Sequence, residues 1–434
     1  MLAALLSRVG LTTPEQRAWG WYDWANSVYF TTVITAVFPT FFATYAAKGL
    51  EPAQASARFA LITTISVAVV AVLAPILGAL ADYSGIKKRL LATFMAIGVT
   101  SCASMVLIGE GDIMLASTLF FIGNIGVSGS TVFYDSLLPH VATPRETDRV
   151  SSAGYLMGYL SGGVLLLINL AWILSPATFG FSDAASATRA SFVAVAVWWA
   201  LFSIPLFRRV PEPPAAGGNG GRGFSVGIAF SRLARTFSEV RRYKNAFLLF
   251  IAMLLYQDGI QTVIRMASVY GAEVGIDQNA QIAAFVMVQF VGIPFSFLFG
   301  MMGTRFGTKR CIFAAIGVYI VATSLAYFMT TATEFFLLAF LVATVLGGSQ
   351  ALSRALFSRM VPPDRTSEFF GFYAVSERFA TVFGPTLFGL SVAITGSSRS
   401  ALLAIIGLFL AGAFVLSLVD EQEGMRAARA PALS

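Results

Sequence analysis

The sequence predicts an all-α polytopic membrane protein of twelve transmembrane helices built as two similar six-helix halves. Three observations carry that expectation. The 434 residues are 57% hydrophobic and only 12% charged, whereas a soluble domain carries about 25% charge. Apolar runs repeatedly exceed the roughly 18 residues that separate a membrane span from a buried core helix. A motif that follows the second run returns after the eighth.

The runs place helices at 20–46, 59–81, 89–109, 113–137, 150–174, 188–207, 245–271, 279–302, 310–330, 333–358, 367–394 and 398–419. Connections on one side carry Lys87, Lys88 and Arg89, then Arg145 and Arg149, then the stretch from Arg208 to Lys244, then Arg305, Lys309 and Arg310. The opposite loops hold only Lys48, Arg58, Arg189 and Arg399. The positive-inside bias puts the basic side and both termini in the cytoplasm and the chain in the inner (plasma) membrane. The net charge of +7 follows from that topology, so no nucleic-acid partner is expected. The chain opens without a basic segment leading into a cleavable apolar one, and no signal peptide is expected. Cys102, Cys311 and the single His140 give no metal spacing and no disulfide framework, so neither metal nor cofactor is expected.

Three units follow. Residues 1–207 form the first six-helix bundle, 208–243 a cytoplasmic linker, and 244–434 the second bundle with a short tail. The linker contains Pro211, Pro213, Pro214 and the glycine-rich run 217–221, a flexible composition. Phe224, Ile228, Leu233 and Phe237 then alternate with Arg232, Arg235 and Arg241, as in an amphipathic helix lying on a membrane face.

The halves echo each other. Gly78, Gly85 and Lys87 recur as Gly300, Gly307 and Lys309, each displaced by 222 residues. Internal duplication of this kind is common in transporter folds. Asp82 in the first copy is replaced by Thr304 in the second, so only the first copy is expected to latch the halves. There Gly85 permits a tight reversal, the basic residues Lys87, Lys88 and Arg89 sit at headgroups, and Asp82 can meet a neighbouring helix N-terminus or an arginine.

The pattern Gly78-x-x-x-Asp82-x-x-Gly85-x-Lys87-Lys88 resembles the signature loop of the major facilitator superfamily. Further stretches narrow the resemblance: 22–27 in helix 1, 133–140 ending helix 4, 148–152 entering helix 5, 258–265 in helix 7 and 347–354 in helix 10. Together they resemble the vacuole-effluxer-like branch, whose fungal members export neutral amino acids from the vacuole. The resemblance implies a major-facilitator fold and transport, and amino acids as the first solute class to test.

Ionisable groups inside a span are costly and therefore mark candidate sites. Asp258 and Arg265 lie two turns apart on helix 7, about 10 Å along its axis, with Gln261 between them on the same face. That stripe could hold a zwitterion, Arg265 taking a carboxylate and Asp258 an ammonium or a proton. Alternatively both groups pair only with other helices. On helix 1, Asp23 and Asn26 are candidates, although Asp23 could be an interfacial N-cap. Asn124, Ser128, Thr131 and Asp135 share one face of helix 4; Asp135, near the end, reads as a gate or a salt bridge. Tyr373 and Glu377 on helix 11 and Gln350 on helix 10 complete the candidate cavity. Asp258, Glu377 and Asp23 are the candidate proton carriers. Arg354 could bridge to Glu377 or extend to headgroups. Gly154, Gly158 and Gly162 on helix 5 and Gly292, Ser296 and Gly300 on helix 8 are small-residue stripes; the fold that the resemblance implies would set helices 5 and 8 face to face between the halves. Pro75, Pro205, Pro294 and Pro385 are expected kink sites.

These features predict a monomeric secondary transporter of a small polar or zwitterionic solute, working by alternating access and driven by protons. A lipid or hydrophobe exporter would need an apolar lateral cavity, which the polar stripes oppose. A membrane receptor or scaffold would need a larger partner-binding domain than the linker offers. No phosphate-binding loop and no Ser/His constellation points to an enzyme.

Overall fold

The computed structural model describes residues 6–50, 52–215, 243–379 and 398–429, with four isolated positions between the last two. The expected amphipathic linker helix and Pro385 lie outside the described residues. So do the side chains of Arg265 and Glu377, which are placed on helix backbone only.

Helix α1 (Pro14–Val28) starts six residues before its expected edge, because Thr13 and Gln16 form a capping box and Pro14 opens the first turn. It continues as a π-helix over Tyr29–Ala36, then bends by 41° into the segment Phe38–Ala46. Pro39 explains the break: it cannot donate to the preceding turn. Next come α2 (Pro52–Ser84), α3 (Lys87–Ser104), α4 (Ile113–Ser136), α5 (Thr147–Leu174) and α6 (Ala184–Arg209). The second half holds α7 (Lys244–Glu273), α8 (Gln278–Phe306), α9 (Thr308–Ala326), α10 (Ala332–Met360), α11 (Thr366–Phe379) and α12 (Ser398–Ser417). A short helix, α13 (Glu421–Arg429), ends the described chain. Among the described residues, ten helices are long and apolar enough to span a bilayer, and the bent α1 makes an eleventh. Only the first part of α11 is described. Pro75, Pro205 and Pro294 lie inside continuous helices.

Gly85 and Gly307 adopt φ of 63° and 95°, the left-handed turn that a side chain disfavours. They reverse α2 into α3 and α8 into α9. After each turn a lysine anchors the half. Lys88 Nζ donates to the Phe207 and Val210 carbonyls, while its N–H donates to Glu212. Lys309 Nζ donates to the Ser417 and Val419 carbonyls, while its N–H donates to Glu421. The counterpart of Lys309 by contact is therefore Lys88, not Lys87 as the 222-residue spacing implied. The second turn is one residue shorter, since α9 begins directly after Gly307. Burial pushes the Glu212 carboxyl up from its ordinary range, against the Lys88 N–H that lowers it. Asp183, which caps α6, is held low by the Ser186 N–H.

The halves meet where α2 packs on α11, and where α5 packs on α8 and α10. A Cβ on Gly78 would overlap the Ser367 carbonyl, and one on Gly371 would overlap Ala74 and Pro75. The small-residue stripe of α5 is not placed as expected. Gly154, Gly158 and Gly162 abut Asp23, Ser27 and Thr31 of α1, within the same half. Helix α8 meets α5 instead through Gly300 against Ser152 and Gly292 against Tyr159. A four-residue spacing fixes the face that packs closely, but not which neighbour it meets.

Candidate functional site

Three polar clusters tie the halves together, all at the end bearing the basic loops. The first is built on Arg354 of α10, buried at 3% exposure. Its Nη1 lies 2.9 Å from Asp135 Oδ1 and its Nη2 lies 3.3 Å from Asp23 Oδ2. Nε donates to Ser151 Oγ at 2.9 Å and Nη2 to the Ser151 carbonyl at 3.0 Å. Tyr134 donates its hydroxyl to Asp23 at 2.8 Å. Ring centroids of Trp19, Tyr155 and Tyr134 lie 4.8, 4.6 and 5.8 Å from the guanidinium carbon. Arg354 therefore neither extends to headgroups nor stands at a helix edge. Asp23 is not an N-cap, because Thr13 caps α1 more than two turns earlier.

The second cluster joins α2 to the N-terminus of α11. Asp82 accepts the N–H groups of Ser367 and Glu368 at 3.1 and 2.8 Å. These are first-turn amides of α11, at the positive end of its dipole. Lys87 pairs with Asp82 at 2.8 Å, donates to Thr366, and lies 3.2 Å from His140 Nε2. Ser367 and Ser136 hydroxyls pair at 3.0 Å.

The third cluster is the counterpart of the second, with its acid on a different helix. Thr304 is exposed and bonds only within its own turn. Asp148, at the start of α5, accepts from Thr308 of α9 at 2.7 Å and pairs with Arg359 of α10 at 3.3 Å. A second polar cluster between the halves thus exists where the sequence pointed to one alone. Sequence reasoning missed Asp148, Arg359, Thr308, Thr366 and the aromatic residues around Arg354. A signal for them was present at another spacing. Gly129, Ser130, Pro144 and Thr147 recur as Gly348, Ser349, Pro363 and Thr366, 219 residues on. At that spacing Asp135 corresponds to Arg354, and His140 to Arg359. Of these two pairs, Asp135 and Arg354 bond to each other across the halves, while His140 contacts Lys87 and Thr366 and Arg359 contacts Asp148 and Thr308.

The remaining candidates lie deeper. Asp258 is 1% exposed near the middle of α7, and its carbonyl accepts from Thr262. Asn26, Asn124, Ser128 and Tyr373 are also buried, while Gln261 and Gln350 are partly buried. The side chains of Asn26, Asn124, Ser128, Gln261 and Gln350 make no hydrogen bond to another described residue. Arg89 is exposed at the start of α3, apart from the Asp82–Lys87 pair.

Residues 49–429 match the family model described as vacuole effluxer Atg22 like. The chain belongs to that family. A protein of Bacillus subtilis (strain 168), described as an uncharacterized MFS-type transporter, is 36% identical over 420 residues, covering 94% of this chain and 96% of its own. Autophagy-related protein 22 of Coccidioides immitis (strain RS) is 23% identical over 451 residues, covering 86% and 74%. Among solved structures, the human organic anion transporter MFSD10 superposes with a TM-score of 0.72 at 15% identity, covering 93% of this chain and 99% of that one. The proton:xylose symporter XylE superposes at 0.68 and 14% identity, covering 96% and 97%. These likenesses establish a twelve-helix major-facilitator fold in two six-helix bundles.

Proposed function

We propose that this chain is a secondary transporter of a small polar or zwitterionic solute, an amino acid in the first instance, that works by proton-driven alternating access. One observation carries the reading. Among the described residues, the ion pairs and hydrogen bonds that cross between the halves cluster at the basic end, whereas deeper polar side chains keep unused hydrogen-bonding capacity. Two bundles locked at one end and polar at mid-depth are what a rocking transporter requires in one of its two states. On the positive-inside rule the locked end is cytoplasmic, which puts the chain in the inner membrane with both termini inside.

In this reading Asn26, Asn124, Ser128, Gln261, Gln350 and Tyr373 orient the solute. Arg265 takes its carboxylate. Asp258 carries the coupling proton, with Glu377 and Asp23 as further carriers. A charge at a span's centre costs about 2.5–3.5 kcal/mol on insertion scales, so an apolar residue at Asp258 would be cheaper unless the charge serves the cycle. Asp82, Gly85, Lys87, Lys88, Asp135 and Arg354 form the gate, and Arg89 faces headgroups. The family description, vacuole effluxer Atg22 like, supports efflux, and the resemblance read from the sequence makes amino acids the first solutes to test. Purified protein in proteoliposomes, screened by counterflow with labelled amino acids under an imposed pH gradient, tests the reading. The Asp258→Asn variant is expected to exchange solute but not to concentrate it. Uphill accumulation equal to wild type would remove Asp258 from the coupling step.

A further inference from the structure

We infer that Trp19, Asp23, Tyr134, Asp135 and Tyr155 form a binding site for organic cations, an alkylammonium or guanidinium group, which Arg354 fills as a tethered ligand while the basic end is closed. Every wall of the site comes from the first half: Trp19 and Asp23 from α1, Tyr134 and Asp135 from α4, Tyr155 and Ser151 from α5. Only the occupant, Arg354, comes from the second. The inference rests on the alternating-access reading in one respect: separating the halves at this end withdraws Arg354 and leaves the walls standing.

The walls have the composition that recognises a soft cation. Three aromatic rings lie within 6 Å of the guanidinium carbon, the range in which ring quadrupoles attract a positive charge. Two carboxylates face it at 2.9 and 3.3 Å. Ser151 adds a hydroxyl and a carbonyl acceptor. An ammonium has three N–H donors, and Asp23, Asp135 and the Ser151 carbonyl can accept all three.

The walls also hold one another, independently of the arginine. Trp19 donates its indole N–H to the Tyr134 carbonyl at 3.1 Å and stacks on the Tyr134 ring at 4.6 Å. Tyr22 stacks on the other side at 4.9 Å. Tyr134 fixes Asp23 through its hydroxyl. Gly154 closes the floor, where a Cβ would collide with the Asp23 carboxylate and press on Arg354 Nη2. When the basic end opens, the vacated cage offers the ammonium of a zwitterionic solute its first contact. Return of Arg354 then expels that ammonium as the end closes.

The test uses full-length protein purified in detergent and reads the unfolding midpoint. Arg354→Ala empties the cage, and the probes are ethylguanidinium, ethylammonium and the neutral isostere N-ethylurea. Both cations are expected to raise the midpoint of Arg354→Ala by roughly 1–3 °C at about ten times their Kd. N-ethylurea should not, and wild type should respond to none of the three. Adding Trp19→Leu should weaken cation binding about tenfold or more, the worth of one desolvated cation–π contact. Equal responses to cation and urea, or indifference to Trp19, overturn the inference. If Arg354→Ala does not yield folded protein, Arg354→Lys and Arg354→Met replace it. A cage requires Lys to be the more stable, and requires that advantage to shrink by about tenfold with Trp19→Leu; an advantage that persists undiminished overturns it. Because the readout needs no flux, cation-selective binding without solute transport in wild type would sink the transport reading alone. Transport without cation selectivity would sink the cage alone.

Discussion

At the α2–α11 latch the Asp82 and Lys87 side chains are 0% and 2% exposed, while at the α5–α9–α10 latch Asp148 and Arg359 keep 3% and 12%. The first pair is sealed; in the second the acid is about as buried, and only Arg359 keeps a small exposed fraction. The first relies on helix-terminal amides, the second on an arginine that reaches over from α10. Both lie beside matching turns of the two halves, after α2 and after α8, but the first takes its acid from α2 itself and the second from α5. The difference in exposure ranks the two. A buried ion pair is costly to break, because the surviving charge is stranded; Arg359, with 12% of its side chain exposed, can recover some hydration that Lys87, at 2%, cannot.

That ranking can be broken by substitution. Asp82→Ala strands Lys87 and uncaps α11, and should destabilise the purified protein by about 3–5 kcal/mol in thermal or denaturant unfolding. Replacing both partners, Asp82→Leu with Lys87→Met, should recover most of that loss, since apolar pairs often substitute for buried ion pairs. Next comes Gly154→Ala, which forces α5 away from Asp23 and should cost about 1–3 kcal/mol. Its control is Gly317→Ala, in α9 with nothing within 4 Å of the new Cβ, which should stabilise by about 0.4–1 kcal/mol. Asp148→Asn keeps an acceptor for Thr308 and leaves Arg359 only partly hydrated, so about 1–3 kcal/mol is expected. An Asp148→Asn cost equal to that of Asp82→Ala would erase the distinction between the latches. Smallest is Thr304→Ala, exposed at the position where the repeat lacks its acid, which should stay within about 0.5 kcal/mol of wild type.

Hydropathy and charge made the fold legible before any coordinates. Long apolar runs have few ways to satisfy their backbones in lipid, so helix number and the two-half division followed from composition. Asp82 was legible for a related reason: glycine, acid and base at fixed spacing describe a turn and a helix cap. What the sequence hid was partnership across the halves. Arg354 looked like a residue near a span's end, because depth along α10 says nothing of what stands opposite. Asp148 sat inside a recognised stretch, yet its role depends on Thr308, 160 residues away. The glycines of α5 advertised close packing without naming α1 as the neighbour. Trp19, Tyr134 and Tyr155 were scattered aromatics until three helices brought them round one guanidinium.

The central claim is that polar contacts between the halves hold the basic end shut and that releasing them lets it open. Spin labels on cysteines replacing the exposed Arg89 and Arg310, at the starts of α3 and α9, report that opening directly by double electron–electron resonance in proteoliposomes. A single short distance is expected with the gate intact, and a longer population should appear when Asp82→Asn and Arg354→Gln are combined. An unchanged distance distribution in the combined variant, with the protein still folded, would contradict the account.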